Sequence, residues 1–124
     1  MARRTTHPGL ITARRHPAGY LEARAMRGSG RHGEVLASFL QSDVQADLGT
    51  ARGLLAEIGM AERGEATQPA AIGNAYSIAI SPDGVTIRNA VIADSRPQAY
   101  AFDELRQALG TWIAAIERAR RNPA

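Results

Sequence analysis

Three histidines, His7, His16 and His32, all fall in the first quarter of this 124-residue chain. Imidazole is the side chain best suited to moving protons near neutral pH. None of the three has the HExxH or His-x₃-His spacing that lets one helix face hold zinc. Asp43 and Asp47, four residues apart, put two carboxylates on one face of an expected helix. No histidine or third acid shares that spacing, so they read as solvent residues favoured by the positive end of the helix dipole. Gly28-Ser29-Gly30-Arg31-His32-Gly33 invites comparison with loops that cradle phosphate. Its pattern is not GxGxxG, and no Gly-Lys-Ser/Thr follows. There is no GxSxG nucleophile elbow. The nearest approach to catalysis is a ribonuclease-like set of His32, Arg24 and Glu22, if the loop folds beside the strand that carries the other two. The absence of cysteine excludes disulfides, thiol catalysis and Cys-ligated zinc. No catalytic, metal-ligating or cofactor-binding residue is assigned on this basis, and the chain reads as a non-enzyme.

Charge is the next source of chemistry. All 15 basic residues are arginine, against 12 acids, for a net charge of +3. The distribution is uneven. Residues 1–33 hold seven Arg and one acid, residues 34–104 four Arg and ten acids, and residues 105–124 four Arg and one acid. Basic ends flank an acidic middle, so partners of either sign are open. Arginine is the preferred residue for phosphate. However, the six aromatic residues do not interleave with the arginines as a base-stacking platform would.

The elements that would position these groups are clearest from Ala75 to Ile116. Tyr76, Ile78 and Ile80 alternate with small residues, and Val85, Ile87 and Val91 alternate with Thr86, Arg88 and Ala90. Period-two alternation marks two half-buried strands. Ser81-Pro82-Asp83-Gly84 between them is a hairpin turn: Pro82 presets φ, and Gly84 can take a positive one. Asn89 interrupts the apolar series, so the second strand should weaken there. A helix is expected to begin at a capping Asp103. It carries Leu105, Leu109, Trp112, Ile113 and Ile116 on one stripe. Arg118, Arg120 and Arg121 sit at its end, where cations favour the dipole.

Earlier in the chain, residues 1–19 read as a basic, irregular tail, with Gly9 to Thr12 as a candidate edge strand. Residues 20–120 form one α+β domain. Tyr20 to Arg27 reads as a strand. Glu34 to Leu40 reads as its hairpin partner, a central strand because both faces are apolar. Ser42 and Gln45 have capping-box spacing ahead of a helix carrying Val44, Leu48, Ala51, Leu55 and Ile58, which stops at Gly59. Met60–Gly73 and Ala93–Tyr100 read as connections. The expected fold is therefore α+β: two β-hairpins in a mostly antiparallel sheet, with two helices on one face. The opposite face, with Glu22, Arg24, Ser77, Thr86 and Arg88, is left to solvent or a partner.

Two stretches resemble a known family. Arg31-His32-Gly33-Glu34-Val35 through Leu48 resembles the N-terminal half of the YacL-type small bacterial proteins. Gly73-Asn74-Ala75-Tyr76, then Val85-Thr86-Ile87-Arg88 and Asp103-Glu104-Leu105, resembles their C-terminal half. The resemblance spans roughly residues 20–118 and implies an arrangement, with no activity to carry over. The hairpin-plus-helix ending is also similar to small immunity proteins of bacterial toxin systems. That resemblance implies a protein that blocks a toxin by covering its active site or substrate groove.

The reading is a cytoplasmic, non-enzymatic binding protein of the immunity type, with no cofactor and a protein partner. Glu22, Arg24, Arg88, Asp94 and Arg96 are the candidate partner-binding residues. The alternative is an Arg-dependent nucleic-acid binder. Self-association through the small-residue sheet face is a third possibility. With no run of about 18 apolar residues, no membrane span is expected, and no apolar leader segment is visible.

Overall fold

The computed structural model describes residues 9–65, 75–92 and 95–122. The fold is α+β, with antiparallel pairing throughout the described strands. The strands divide between two sheets. The first is the hairpin of β1 (Ile11–Arg15) and β2 (Leu21–Ala25); the second has the order β3-β4-β5 (Tyr76–Ser81, Gly84–Asn89, Gln98–Tyr100). Three helices pack against them: α1 (Gly30–Phe39), α2 (Leu48–Glu62) and α3 (Phe102–Arg121). One π-helical turn, Leu40–Val44, follows α1.

The β3–β4 hairpin forms as its pattern predicts. Ser81 pairs with Gly84 across a two-residue loop of Pro82 and Asp83, and Gly84 has φ 137°. Tyr76, Ile78, Val85 and Ile87 are buried, whereas Ala79, Thr86 and Arg88 are exposed. β4 ends at Asn89, whose Oδ1 accepts from the N–H groups of Val91 and Ile92. That side-chain turn takes the backbone out of the ladder, so Val91 is exposed and does not extend the apolar series.

The first third departs from the expected order. Glu34–Leu40 is helix, not strand. Its apolar residues satisfy a period of two and a wide helical stripe equally well, which leaves periodicity ambiguous over so short a run. Gly33, Leu36, Ala37 and Leu40 lie at helical spacing and are buried, while Glu34 and Ser38, one turn apart, are exposed. Gly33 shows why the glycine-rich stretch is needed. A Cβ there would lie 2.6 Å from Ser29 Cβ and 2.9 Å from the Leu10 carbonyl oxygen, so α1 can approach β1 this closely only with glycine. The hairpin partner of β2 is instead β1, drawn from the expected irregular tail; residues 1–8 of that tail lie outside the described region.

The cap on α2 also moves. Asp47 is the N-cap, and its Oδ1 accepts from the Thr50 N–H at 3.1 Å. Ser42 and Asp43 belong to the π-helical turn. Asp43 is not a solvent carboxylate: its oxygens accept from the N–H groups of Ala75 and Tyr76 and from the Ser42 hydroxyl. It thereby fixes where β3 begins. α2 runs past Gly59 to Glu62, into the expected linker.

The core joins all the elements. Leu36, Leu40, Ile58, Ile87, Leu105, Leu109, Trp112 and Ile116 are among the most fully buried side chains. Burial of each contributes roughly 1.5–3 kcal/mol before conformational entropy is subtracted. α3 is the hub, touching α2, β1, β2 and β4. At its start Asp103 is not the cap. Ala101 is the N-cap, and Glu104 Oε1 accepts its N–H at 2.9 Å; Asp103 lies in the first turn and pairs with Arg106. α3 thus ties both sheets into one core.

Candidate functional site

The candidate partner-binding residues do not converge on one surface element. Glu22 and Arg24 stand on the outer face of β2, opposite Arg14 and Thr12. Glu22 Oε1 accepts from Arg14 Nε at 3.2 Å. Arg88 stands on the outer face of β4, in the other sheet. Arg96 is exposed ahead of β5, and Asp94 lies outside the described residues. Two sheets in place of one account for this separation.

The ribonuclease-like grouping does not form either. His32 lies in α1, where it meets α3 and β5. Its ring stacks on Tyr100 with centroids 4.1 Å apart, and its Nε2 is 3.4 Å from Glu104 Oε1. The Tyr100 hydroxyl donates to the His32 carbonyl oxygen at 2.7 Å. Burial raises the Tyr100 pKa well above its ordinary value, and the charge of Glu104 adds to the effect. Two of the three have structural uses: Glu104 also holds the start of α3, and Tyr100 fastens the start of α1. The glycine-rich stretch joins β2 to α1, not strand to strand, and its backbone serves that close packing.

Chemistry concentrates instead at the end where the β1–β2 hairpin meets the last turns of α3. In β1, Ile11, Ala13 and Arg15 face inward, so Arg15 is directed at α3. Its Nη2 donates to the Ala119 carbonyl oxygen at 3.0 Å. The helical acceptor rule would require the N–H of residue 123 for that oxygen. Residue 123 is proline, which has none. A guanidinium from the other end of the chain supplies the bond, at the negative pole of the helix.

Beside this contact is an open pocket of about 250 Å³. Leu21, Ala115 and Ala119 form an apolar floor, Arg14, Arg15 and Arg118 form a cationic rim, and Asn122 adds a neutral amide to the lining. Arg118 makes no ion pair among the described residues, and Arg14 meets Glu22 through Nε alone. Arg120 and Arg121 are exposed in the same last turn. At the hairpin tip, His16 Nδ1 accepts the Ala18 N–H, and the His16 ring stacks on Tyr20 at 4.4 Å. Tyr20 is 49% exposed. A second recess runs from Tyr20 and Leu21 to Gln45 and Trp112. There the buried Trp112 Nε1 donates to the Gln45 carbonyl oxygen at 2.6 Å. Gln45 has φ 58° and ψ −159°, a backbone region that belongs almost exclusively to glycine.

Sequence reading listed the arginines but not the pocket. Arg15 and Ala119 are 104 residues apart, and no local pattern joins them. Pro123 after an arginine-rich helix end was the one available signal, because it deprives the Ala119 carbonyl of its helical donor.

No family model, curated protein or solved structure matches this chain. No helix among the described residues is long and apolar enough to cross a membrane.

Proposed function

We propose that this chain is a non-enzymatic binding protein of the immunity type, which neutralises a bacterial toxin by covering its active site or substrate groove, in the cytoplasm. Its basic end is the part that meets the partner. The observation that carries this reading is the apolar floor of Leu21, Ala115 and Ala119 inside a rim of arginines. A dry centre with a polar rim is the usual anatomy of a protein interface, and arginine is over-represented at its energetic centre. The surface is also held in place before any partner arrives, because Arg15 couples the hairpin to α3. Preorganisation lowers the ordering cost of association. Five arginines, three in the last turn of α3 and two at the end of β1, favour an acidic partner surface and fast encounter.

The test is co-expression with the product of the neighbouring reading frame. A stable complex and rescue of cells from that product are expected. The reading fails if no neighbour binds and no toxicity is relieved.

A second reading is favoured by one specific observation. Tyr20, stacked on His16, presents an exposed ring at the tip of the hairpin whose first strand ends in Arg14 and Arg15. Arginines next to an aromatic ring suit a single-stranded nucleic acid. Binding of an oligonucleotide that weakens steeply with salt, and weakens further in Tyr20→Ala, supports this alternative.

A further inference from the structure

We infer that the pocket between the β1–β2 hairpin and the end of α3 receives a single apolar side chain, flanked by a carboxylate, from an acidic protein partner. The inference rests on the binding-protein reading and names the chemistry of its anchor.

Size is the first argument. Pockets for drug-sized ligands run from roughly 300 to 1,000 Å³. At about 250 Å³ this one is short of that range and open to one side. It suits one inserted side chain better than a whole nucleotide.

The lining is the second argument. Leu21, Ala115 and Ala119 offer the floor no hydrogen-bonding side chain, and the Asn122 amide lies at the exposed helix end with the arginines, so the group that rests on the floor is apolar and the polar contacts are left to its edge. The third is charge. Arg15 is engaged by the Ala119 carbonyl oxygen and acts as part of the wall. Arg14 and Arg118, both at the exposed rim, are the groups placed to meet an incoming carboxylate. Arginine pairs with carboxylate through two parallel N–H donors, which fixes orientation as well as sign. An apolar body with a negative group at its edge satisfies floor and rim together. Inorganic phosphate satisfies the rim alone.

The experiment needs no identified partner. The intact ¹⁵N-labelled protein is titrated with 4-phenylbutyrate, with its neutral amide, 4-phenylbutyramide, and with inorganic phosphate. The carboxylate is expected to shift the amide signals of Leu21, Ala115 and Ala119, with the neutral amide at least about fivefold weaker. Arg118→Gln is expected to weaken the carboxylate about fivefold, the loss of one charge-assisted contact at a partly solvated rim. Ala119→Leu, which fills the floor and leaves the backbone carbonyl in place, should abolish the response. The same spectra report whether each variant is folded. An equal response to the neutral amide, an equal response to phosphate, or no response from the lining residues overturns the inference. Should the neighbouring gene product still bind the parent protein in that event, the pocket assignment falls and the binding-protein reading stands.

Discussion

The Arg15 guanidinium donates to the Ala119 carbonyl oxygen, so the hairpin that opens the described chain closes the helix that ends it. This contact is partly buried and charge-assisted, a class worth about 1.5–3 kcal/mol. Arg15→Met keeps most of the stem and removes the donor. It is expected to lower stability by at least about 1 kcal/mol in urea denaturation, with an unchanged m-value. Loss confined to the hairpin and the end of α3 should appear as faster amide exchange there.

Gly33 is fixed by space, not by backbone angle. Gly33→Ala would push a methyl group against Ser29 and the Leu10 carbonyl. Ordinarily Ala in place of a helical Gly gains about 1 kcal/mol. Here the sign should reverse, with a loss of about 1–3 kcal/mol from overpacking. Thermal denaturation of the variant beside Gly53→Ala, where a Cβ meets nothing within 4 Å, provides the contrast.

Gln45 is expected to behave in the opposite way. Its positive φ and extended ψ cost about 1–3 kcal/mol for a residue with a Cβ. Gln45→Gly relieves that strain and loses the exposed bond from Nε2 to the Ser42 carbonyl oxygen. The glycine variant should be at least as stable as the parent, and Gln45→Val clearly less stable. Equal destabilisation by both would remove the claim of strain.

Tyr100 sets an alkaline limit. Burial raises its folded-state pKa above the unfolded value near 10. The folded state therefore keeps a proton that the unfolded chain releases. The associated stability is complete below about pH 10 and is lost as pH rises above it. Tyr100→Phe should be less stable at neutral pH, through the lost bond to the His32 carbonyl oxygen, yet show a flatter decline above pH 10. Stability measured from pH 8 to 11 on both proteins checks the crossing trend.

What could be read without coordinates follows from how local the determining physics is. The β3–β4 hairpin was legible because Pro82, Gly84 and the alternation of Tyr76, Ile78, Val85 and Ile87 act within a few residues of one another. α3 was legible from its stripe, although its first turn is governed by Glu104 and not by Asp103. Glu34–Leu40 misled because six apolar or small residues in seven fit two periods. The tertiary packing that accompanies the helix, Gly33 against Leu10 and Leu36, Ala37 and Leu40 in the core, lies outside that local pattern. The helix, in turn, left β2 free to pair with β1. Asp43 looked like a surface acid because its partners, Ala75 and Tyr76, are more than thirty residues away. The pocket was hidden for the same reason: its floor comes from β2 and α3, and its rim from β1 and α3.

The central claim is that the basic end is the surface that binds a protein partner, and charge reversal at its exposed rim tests this most directly. Calorimetric titration of the neighbouring reading frame's product would be run with the parent protein, Arg118→Glu and, as a control on the other sheet, Arg88→Glu. The account predicts at least tenfold weaker binding for Arg118→Glu and little change for Arg88→Glu. Unchanged affinity in Arg118→Glu, or a larger loss in Arg88→Glu, would contradict it.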